Sequence, residues 1–491
     1  MKIKQSIYRI FYGIFSCGFG FIFLKVLFGD TFHAYNTGML IFYMIVGLAL
    51  MGGGLWLSKK YETWLEKYYR YVLIGFLVIY GILLLYFGFS LRFTPSFDMD
   101  AIYGGAIQWL EEGSFSNYYE YYGYFPNNLG AMTFLHSVFG IASIFGIKDY
   151  FAVGIVVNTF LLVATVLVTS LACKKIHNAV SGVLVLLFYV LCIPFFFMSA
   201  AFYTDALSLL FPVLFYYLYL HFKEQTTTKR KILFAVLMAL VLTQGMLIKF
   251  TVAIVLVAVI IDALLSADWK KTCLMAGTSI ALAAIIFSIF NTYMYSAHLD
   301  EEQCRQLNTP YLHWVMMGMQ NNGSYNPEDY EYTRSFSPEE RNEACLSRIK
   351  ERMGDLGIGG MAELFANKSV ICFGDGTYAL SDFLDDEPAK ETGLHKYILY
   401  AGEKYKSYQN LTTGFLLALY FVMVYGAGVC AFGKKEQKDF VYLAPRLSGL
   451  GILAFLLLWE TSGRYFTNYI PMLIVSAVLA ITWKEWRKGH V

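Results

Sequence analysis

Twelve apolar stretches, most of them close to the length of a membrane span, determine what this chain of 491 residues can fold into. An α-helix needs about 20 mainly apolar residues to cross the hydrocarbon core of a bilayer. The stretches cover roughly residues 7–29, 38–57, 70–91, 151–172, 179–199, 203–221, 231–247, 251–266, 274–296, 411–432, 440–459 and 466–484. We therefore predict an all-α polytopic membrane protein with about twelve transmembrane helices.

The composition excludes other broad classes of protein. Charged residues make up only 15% of the chain, whereas soluble domains average about 25%. The 38 basic and 36 acidic residues give a net charge of +2, which lacks the basic excess of a nucleic-acid binder. The aromatic content of 18% excludes a disordered chain, because such chains are poor in aromatic residues. We expect a lipid bilayer around the protein and no nucleic-acid partner.

Basic residues in the loops predict the orientation of the chain. Lys and Arg follow every second apolar stretch, and short loops rich in these residues stay in the cytoplasm. The basic residues that define these loops are Lys59, Lys60, Lys67, Arg70, Lys174, Lys175, Lys223, Lys229, Arg230, Lys231, Lys270, Lys271, Lys434, Lys435, Lys438, Lys484, Arg487 and Lys488. This pattern predicts cytoplasmic termini and places the remaining loops on the extracellular face.

One further apolar stretch, residues 129–147, does not fit that alternation. If it crossed the membrane, all later basic loops would move to the outside. We therefore predict that it lies at the outer interface or re-enters the membrane. The alternative is a thirteenth span, with residues 231–266 merged into one crossing.

The spans and the polar regions between them divide the chain into four parts. Residues 1–69 contain two N-terminal spans, and residues 70–297 form a membrane core with a first outer loop at 92–150. Residues 298–410 form a predicted extracellular module. Residues 411–491 return to the membrane as the last three spans.

Two carboxylates, Asp98 and Asp100, follow the third stretch on the predicted outer face, before a short amphipathic helix predicted over 104–112. A carboxylate placed there can deprotonate a hydroxyl group, or the pair simply belongs to a solvated loop. A divalent cation is compatible with the pair but is not required. The eight Cys and eight His residues show no metal-ligand spacing, so we predict no metal-binding residue.

A tyrosine-rich segment, residues 118–128, continues the first outer loop. Its rings, including Tyr124, and the amides of Asn127 and Asn128 could form a platform for a sugar, or an aromatic belt at the membrane interface. Tyr203 and Asp205 begin the sixth stretch. Asp205 could bind a substrate hydroxyl or a cation, or it could cap the helix.

Two cations also map to the outer face: Lys249 between stretches seven and eight, and Arg464 between eleven and twelve. Both are suited to a phosphate group; the alternatives are a snorkelling lysine and a surface ion pair of Arg464 with Glu460. Glu460 could orient Arg464 if the turn between them is helical. His313, in the second outer region, could line a pocket or belong to a core.

With these motifs in place, the chain resembles the GT-C superfamily of polyprenyl-phosphate-sugar-dependent glycosyltransferases. The nearer branch contains the protein O-mannosyltransferases and the lipid A aminoarabinose transferase. The resemblance covers the plan of most of the chain: an outer Asp after an early span, then FPNN at 125–128, YTD at 203–205, Lys249 and WETSGRY at 459–465. The motifs FPNNLG, HWVMMGM and WETSGRY look like a Gram-positive subgroup usually assigned to cell-envelope glycosylation.

The chain also departs from the mannosyltransferase pattern. Asp-Met-Asp and Phe-Pro-Asn-Asn stand where that pattern has Asp-Glu and His-Pro-Pro, which argues against mannose and against a protein acceptor. Two extra N-terminal spans, 7–29 and 38–57, precede the part that matches.

The resemblance implies that Asp98 is the catalytic residue, with Asp100 as the competing choice. We expect an enzyme that transfers a sugar, with inversion, from a polyprenyl-phosphate donor to an acceptor on the extracellular face of the cell membrane. The acceptor class stays open between an envelope glycan, teichoic acid and protein. The Asp would act as general base, and Lys249 and Arg464 would hold the leaving phosphate. Substrate-binding candidates are Tyr124, Asn127, Asn128, Tyr203, Asp205, His313 and Glu460.

Two other readings of the sequence compete with this one. A transporter or flippase of lipid-linked envelope precursors would need polar residues through the middle of the membrane. The stretches nearly lack charge, apart from Lys249 and Asp262, which disfavours transport. A scaffold without catalysis would make the outer carboxylates dispensable.

Overall fold

The computed structural model describes residues 2–29, 35–266, 268–433 and 442–486, and these ranges contain helices and no strand. The helices are α1 (Lys2–Phe28), α2 (Thr37–Lys60), α3 (Glu62–Ser90), α4 (Phe97–Glu112), α5 (Tyr119–Tyr124), α6 (Leu129–Ile144), α7 (Tyr150–Ile176), α8 (Ala179–Leu191), α9 (Thr204–Leu207), α10 (Leu210–Glu224), α11 (Thr228–Ile248), α12 (Ala253–Leu265), α13 (Trp269–Ala297), α14 (Glu301–Leu307), α15 (Tyr311–Met317), α16 (Pro327–Arg334), α17 (Arg341–Phe373), α18 (Ser381–Leu384), α19 (His395–Ile398), α20 (Tyr405–Phe432), α21 (Ala444–Leu458) and α22 (Ile470–Trp486). The predicted all-α polytopic class is confirmed. Lys434, Lys435, Lys438, Arg487, Lys488 and the Lys484 side chain, used above for the orientation, lie outside the described residues.

Within the described ranges, eight helical segments are long and apolar enough to cross a membrane: α1, α2, α3, α7, α9 with α10, α11, α13 and α20. They coincide with eight of the twelve predicted stretches. The other four stretches coincide with the shorter apolar helices α8, α12, α21 and α22. For example, α8 ends at Leu191 instead of reaching 199, because Pro194 cannot continue the helix and opens a 3-10 turn.

Small residues let the long helices approach one another closely. A Cβ atom on Gly47 of α2 would lie 2.9 Å from the Cβ of Ala418 in α20. Two turns further along α20, a Cβ atom on Gly426 would lie 2.3 Å from the Cβ of Ala480 in α22. Contacts of this kind are typical of helices packed in a membrane, where the lipid is as apolar as the side chains.

The apolar stretch 129–147 forms α6, a helix of 16 residues. A helix of that length spans about 24 Å, less than the hydrocarbon core of about 30 Å. It packs along α4, and its first turn touches the end of α11: a Cβ atom on Gly130 would lie 2.0 Å from the carbonyl oxygen of Leu247. That α6 does not cross the membrane stays a prediction.

The second outer region folds into one long helix, α17, and the short helices α14, α15, α16, α18 and α19. The next helix, α20, begins at Tyr405, inside the predicted 298–410 module. Residues 298–410, here called the outer module after their predicted position, contact the predicted first outer loop through a β-bridge between Phe93 and Pro388. The outer module also has a small core of its own around Met316, Cys345 and Ile349.

Candidate active site

Asp98 lies in the first turn of α4, which begins at Phe97 and so includes residues before the predicted helix 104–112. Phe97 has a positive φ of 44°, a strained conformation for a bulky residue that the surroundings must impose. The preceding residue, Ser96, donates hydrogen bonds from its backbone N (3.2 Å) and its Oγ (2.6 Å) to Asp386. The outer module therefore holds the turn that presents Asp98.

Two tyrosine hydroxyls donate to the Asp98 carboxylate, and an amide side chain holds both hydroxyls. The hydroxyls of Tyr121 and Tyr203 donate to its two oxygens, at 2.9 and 3.1 Å. The amide of Asn128 donates in turn to both hydroxyls, at 2.6 Å to Tyr121 and 3.4 Å to Tyr203. The Asp98 side chain nevertheless stays 41% exposed, so it is oriented by the protein and still accessible to a second molecule.

Both predicted cations lie beside this carboxylate. The Nη2 of Arg464 is 3.7 Å from Asp98, and its Nη1 is 3.5 Å from Asp205. The other oxygen of Asp205 accepts a hydrogen bond from the Lys249 amine. Asp205 is thus an ion-pair partner of two cations and forms no helix cap. The Lys249 side chain is only 13% exposed and pairs with Asp205 instead of snorkelling.

The fold explains why residues so distant in sequence meet here. Lys249 lies at the break between α11 and α12, which the Gly130–Leu247 contact holds against the start of α6 and hence against Asn128. The guanidinium of Arg464 lies 5.1 Å from the ring centres of both Tyr203 and Phe383. Such cation–π contacts stabilise a buried cation.

The turn that carries Arg464 is not helical, because α21 ends at Leu458. The predicted pairing of Glu460 with Arg464 by helical spacing is therefore wrong: the carboxylate of Glu460 accepts a hydrogen bond from the Tyr465 hydroxyl at 3.1 Å, and Arg464 turns to the two aspartates. Burial raises the pKa of Glu460 to about 7.

The outer module also fixes this turn. The amine of Lys368, which is buried, donates to the carbonyl oxygens of Trp459 and Gly318, both at 2.7 Å. The backbone N of Thr461 donates to the carbonyl oxygen of Gly323 at 2.8 Å. Arg464 therefore keeps its position relative to the outer module.

Asp100 is placed differently from Asp98, although only one residue separates them. It accepts a hydrogen bond from the Tyr118 hydroxyl at 3.2 Å, and among the described residues it forms no ion pair. Burial raises its pKa. Of the two competing carboxylates, Asp98 is the one next to the cations.

Three predicted substrate-binding residues lie outside this cluster. Tyr124 contacts Arg334, whose guanidinium stacks on its ring at 4.5 Å, and Asn127 is exposed and donates only to Asn128. His313 is fully buried in the outer module, with Nδ1 2.7 Å from the hydroxyl of Thr333. Burial lowers its pKa to about 4, which is typical of a core histidine.

Sequence reasoning missed several residues that shape the site, including Lys368. Tyr121 and Tyr465 belong to segments that the motifs had singled out, so their neighbourhood was indicated even though their roles were not. Asp386 and Phe383 fall in an acidic segment of the outer module (residues 382–387) that carries no recognisable spacing. Only the folded chain brings them to Ser96 and Arg464.

Among the described residues, no group of three or more His, Cys, Asp or Glu side chains is arranged to hold a metal ion. The cluster itself contains two carboxylates, two cations and the tyrosines between them.

Comparison with known proteins adds the family. A family model described as "conserved hypothetical integral membrane protein" matches residues 1–484. No curated protein matches the chain.

Proposed function

We propose that this chain, which belongs to that family of integral membrane proteins, is a glycosyltransferase that uses a polyprenyl-phosphate-linked sugar as donor. The acceptor would be a component of the cell envelope on the extracellular face of the cell membrane. The observation that carries the proposal is the contact between an accessible carboxylate, Asp98, and a mostly buried pair of cations, Arg464 and Lys249, joined through Asp205.

In the proposed reaction, an acceptor hydroxyl gives its proton to Asp98 while its oxygen attacks the anomeric carbon of the donor. The bond between that carbon and the phosphate oxygen breaks, and its electron pair stays on the phosphate. Attack from the side opposite the phosphate inverts the anomeric centre. Phosphate is a good leaving group, so the site needs to stabilise charge more than it needs a general acid.

The net formal charge of the cluster changes during this reaction. Before transfer, the charges of Lys249 and Arg464 balance those of Asp205 and Asp98. When Asp98 takes up the proton, Arg464 loses one of its two anionic partners and the cluster gains one positive charge. That change happens as negative charge develops on the departing phosphate, so the attraction is strongest at the transition state, where it accelerates the reaction.

A comparison of two carboxylates on the same helix tests this role. We expect Asp98→Asn to lower transfer of a radiolabelled sugar from a polyprenyl phosphate by about 10²–10⁴-fold, the usual contribution of a general base. Asp100→Asn is the matched control and should retain most of the activity, because Asp100 contacts Tyr118 and neither cation. The protein is assayed in detergent, where no membrane separates two compartments and transport alone yields no product. Full transfer by Asp98→Asn would exclude Asp98 as the base.

A further inference from the structure

A continuous row of aromatic rings runs from Trp459, which directly follows the apolar helix α21 and is here called the membrane end, to Tyr124 at the end of α5, here called the outer end. Trp459 lies 6.3 Å from Trp314, which lies 6.0 Å from Phe125. Phe125 lies 6.2 Å from Tyr330, and Tyr330 lies 5.7 Å from Tyr124. These five residues, here called the aromatic row, come from three separate parts of the chain.

Two pairs of rings in the aromatic row are nearly parallel. The planes of Phe125 and Tyr330 lie within 15° of each other, and those of Trp314 and Trp459 within 26°. The row bends between these pairs, since Phe125 is tilted by 42° from Trp314 and Tyr124 by 67° from Tyr330. All four side chains of the two parallel pairs are partly exposed, whereas Tyr124 is buried under Arg334. Tyr311, 6.5 Å from Trp459 and 80% exposed, extends the exposed aromatic area at the membrane end.

The row passes close to the proposed base. The ring of Phe125 is 5.0 Å from that of Tyr121, whose hydroxyl donates to Asp98. At the membrane end, Trp459 begins the turn that carries Arg464. A molecule lying along the row would therefore pass the carboxylate and the cations at close range.

Polar groups border the row at its outer end. The guanidinium of Arg334 stacks on Tyr124 at 4.5 Å and on Tyr330 at 5.3 Å, and its side chain is 38% exposed. Asn127 is exposed next to Phe125. Rings bordered by amide and guanidinium donors fit a ligand that has both apolar faces and many hydroxyl groups.

From this arrangement we propose that the aromatic row binds the acceptor, and that the acceptor is an oligosaccharide chain. The C–H faces of sugar rings pack on the electron-rich faces of aromatic side chains, and a row of rings would hold several consecutive sugars. The inference rests on the proposed function, because it assigns the acceptor of that same site.

The test measures glycan binding without any donor. Labelled full-length protein in lipid nanodiscs is applied to an array that carries single sugars, oligosaccharides of increasing length and, as a separate set, unglycosylated peptides. We expect binding to oligosaccharides that is tighter than binding to their single sugars. Trp314→Ala should weaken it about tenfold, as expected for the loss of one stacked ring, and Trp314→Phe should restore most of it.

The matched control is Tyr397→Ala. Tyr397 is another partly exposed aromatic residue of the outer module, near Lys396 and Lys404 and outside the row. Its replacement should leave glycan binding unchanged. The inference is overturned if the protein binds no oligosaccharide, if it binds only peptides, or if Trp314→Ala and Tyr397→Ala bind like each other.

Binding and transfer can fail separately in this design. Oligosaccharide binding that depends on Trp314, together with a lack of transfer from any lipid-linked donor, would refute the proposed function and leave a glycan-binding site. Transfer that depends on Asp98, with no glycan bound by the row, would refute only the inference about the acceptor.

Discussion

Two clusters of buried charge lie at opposite ends of α12, about 20 Å apart by the length of that helix, and they are built differently. The cluster that contains Lys249 and Arg464 includes Asp98, a carboxylate with 41% of its side chain exposed. The cluster at the other end centres on Asp262, whose side chain is 2% exposed.

Asp262 has all the partners that a buried carboxylate needs. It accepts hydrogen bonds from the Tyr219 hydroxyl at 2.9 Å and from the backbone N of Leu443 at 3.3 Å, and Lys223 lies 3.5 Å away. The same end of the molecule holds Arg446, buried and donating to backbone carbonyl oxygens. Similar residue types thus form a closed, structural cluster at one end and an accessible cluster at the other, so accessibility separates a candidate catalytic group from a structural one.

Among the variants that compare the two clusters, Arg464→Gln has the largest expected effect. Arg464→Gln should lower the rate of transfer by about 10²–10³-fold, because it removes a preorganised donor that stabilises developing charge. Arg446→Gln is its counterpart in the closed cluster. The comparison would break down if Arg446→Gln lowered the rate per folded molecule as much as Arg464→Gln does.

The second prediction concerns stability. Asp262→Asn should lower the free energy of unfolding by about 1–3 kcal/mol, because it weakens hydrogen bonds and an ion pair in a site that excludes water. Thermal unfolding in detergent measures this change. The rate of transfer per folded molecule should stay that of the unaltered chain, and a selective loss of rate would give this cluster a role in the reaction.

A smaller effect is expected at Asp386, which positions the Asp98 turn without touching substrate. Asp386→Ala removes both acceptors of Ser96, so the strained turn at Phe97 should relax and displace Asp98, lowering kcat about tenfold. Asp386→Asn keeps an acceptor oxygen and should recover part of the rate. Asp385→Ala, which removes only an acceptor for the backbone N of Tyr400, is the control. Equal losses in the Asp385 and Asp386 variants would argue against a specific positioning role.

The last prediction is a dependence of stability on pH at Glu460. Its pKa is raised from 4.5 to about 7 by burial, so the folded chain holds this proton more tightly than the unfolded chain does. The resulting stabilisation is fully present below about pH 4.5 and is lost as the pH rises through about 7. Melting temperatures from pH 5 to 8 should therefore fall more steeply in the unaltered chain than in Glu460→Gln. Parallel curves would show that Glu460 does not titrate in this range.

The sequence predicted the helical class and the position of the membrane segments well, because each span carries its own signal of about 20 apolar residues. The lengths of individual helices were less predictable. The extension of α4 to Phe97 depends on Ser96 and Asp386, and no pattern within the segment around Asp98 indicates so distant a partner.

The candidate site was likewise predictable only in part: its charged residues could be found from the sequence, but their pairing could not. Four charged residues interrupt or border an apolar stretch, where a charge is costly and is therefore easy to recognise in the sequence. They are Asp98, Lys249, Asp205 and Arg464. Their pairing was not predictable: Glu460 was the expected partner of Arg464 from spacing alone, and a non-helical turn directs Arg464 to the aspartates instead.

The hydrogen bonds between Ser96 and Asp386 join positions 290 residues apart, which sets an order of events during synthesis. A ribosome adds about 5–20 residues per second, so Asp98 leaves the tunnel roughly 15–60 s before Asp386 does. During that interval the Asp98 turn has no partner to hold it, and Arg464 has yet to be made. Nascent chains released early would enter the membrane with most of their spans and without a working site, so activity should arise only once nearly all of the chain has been inserted.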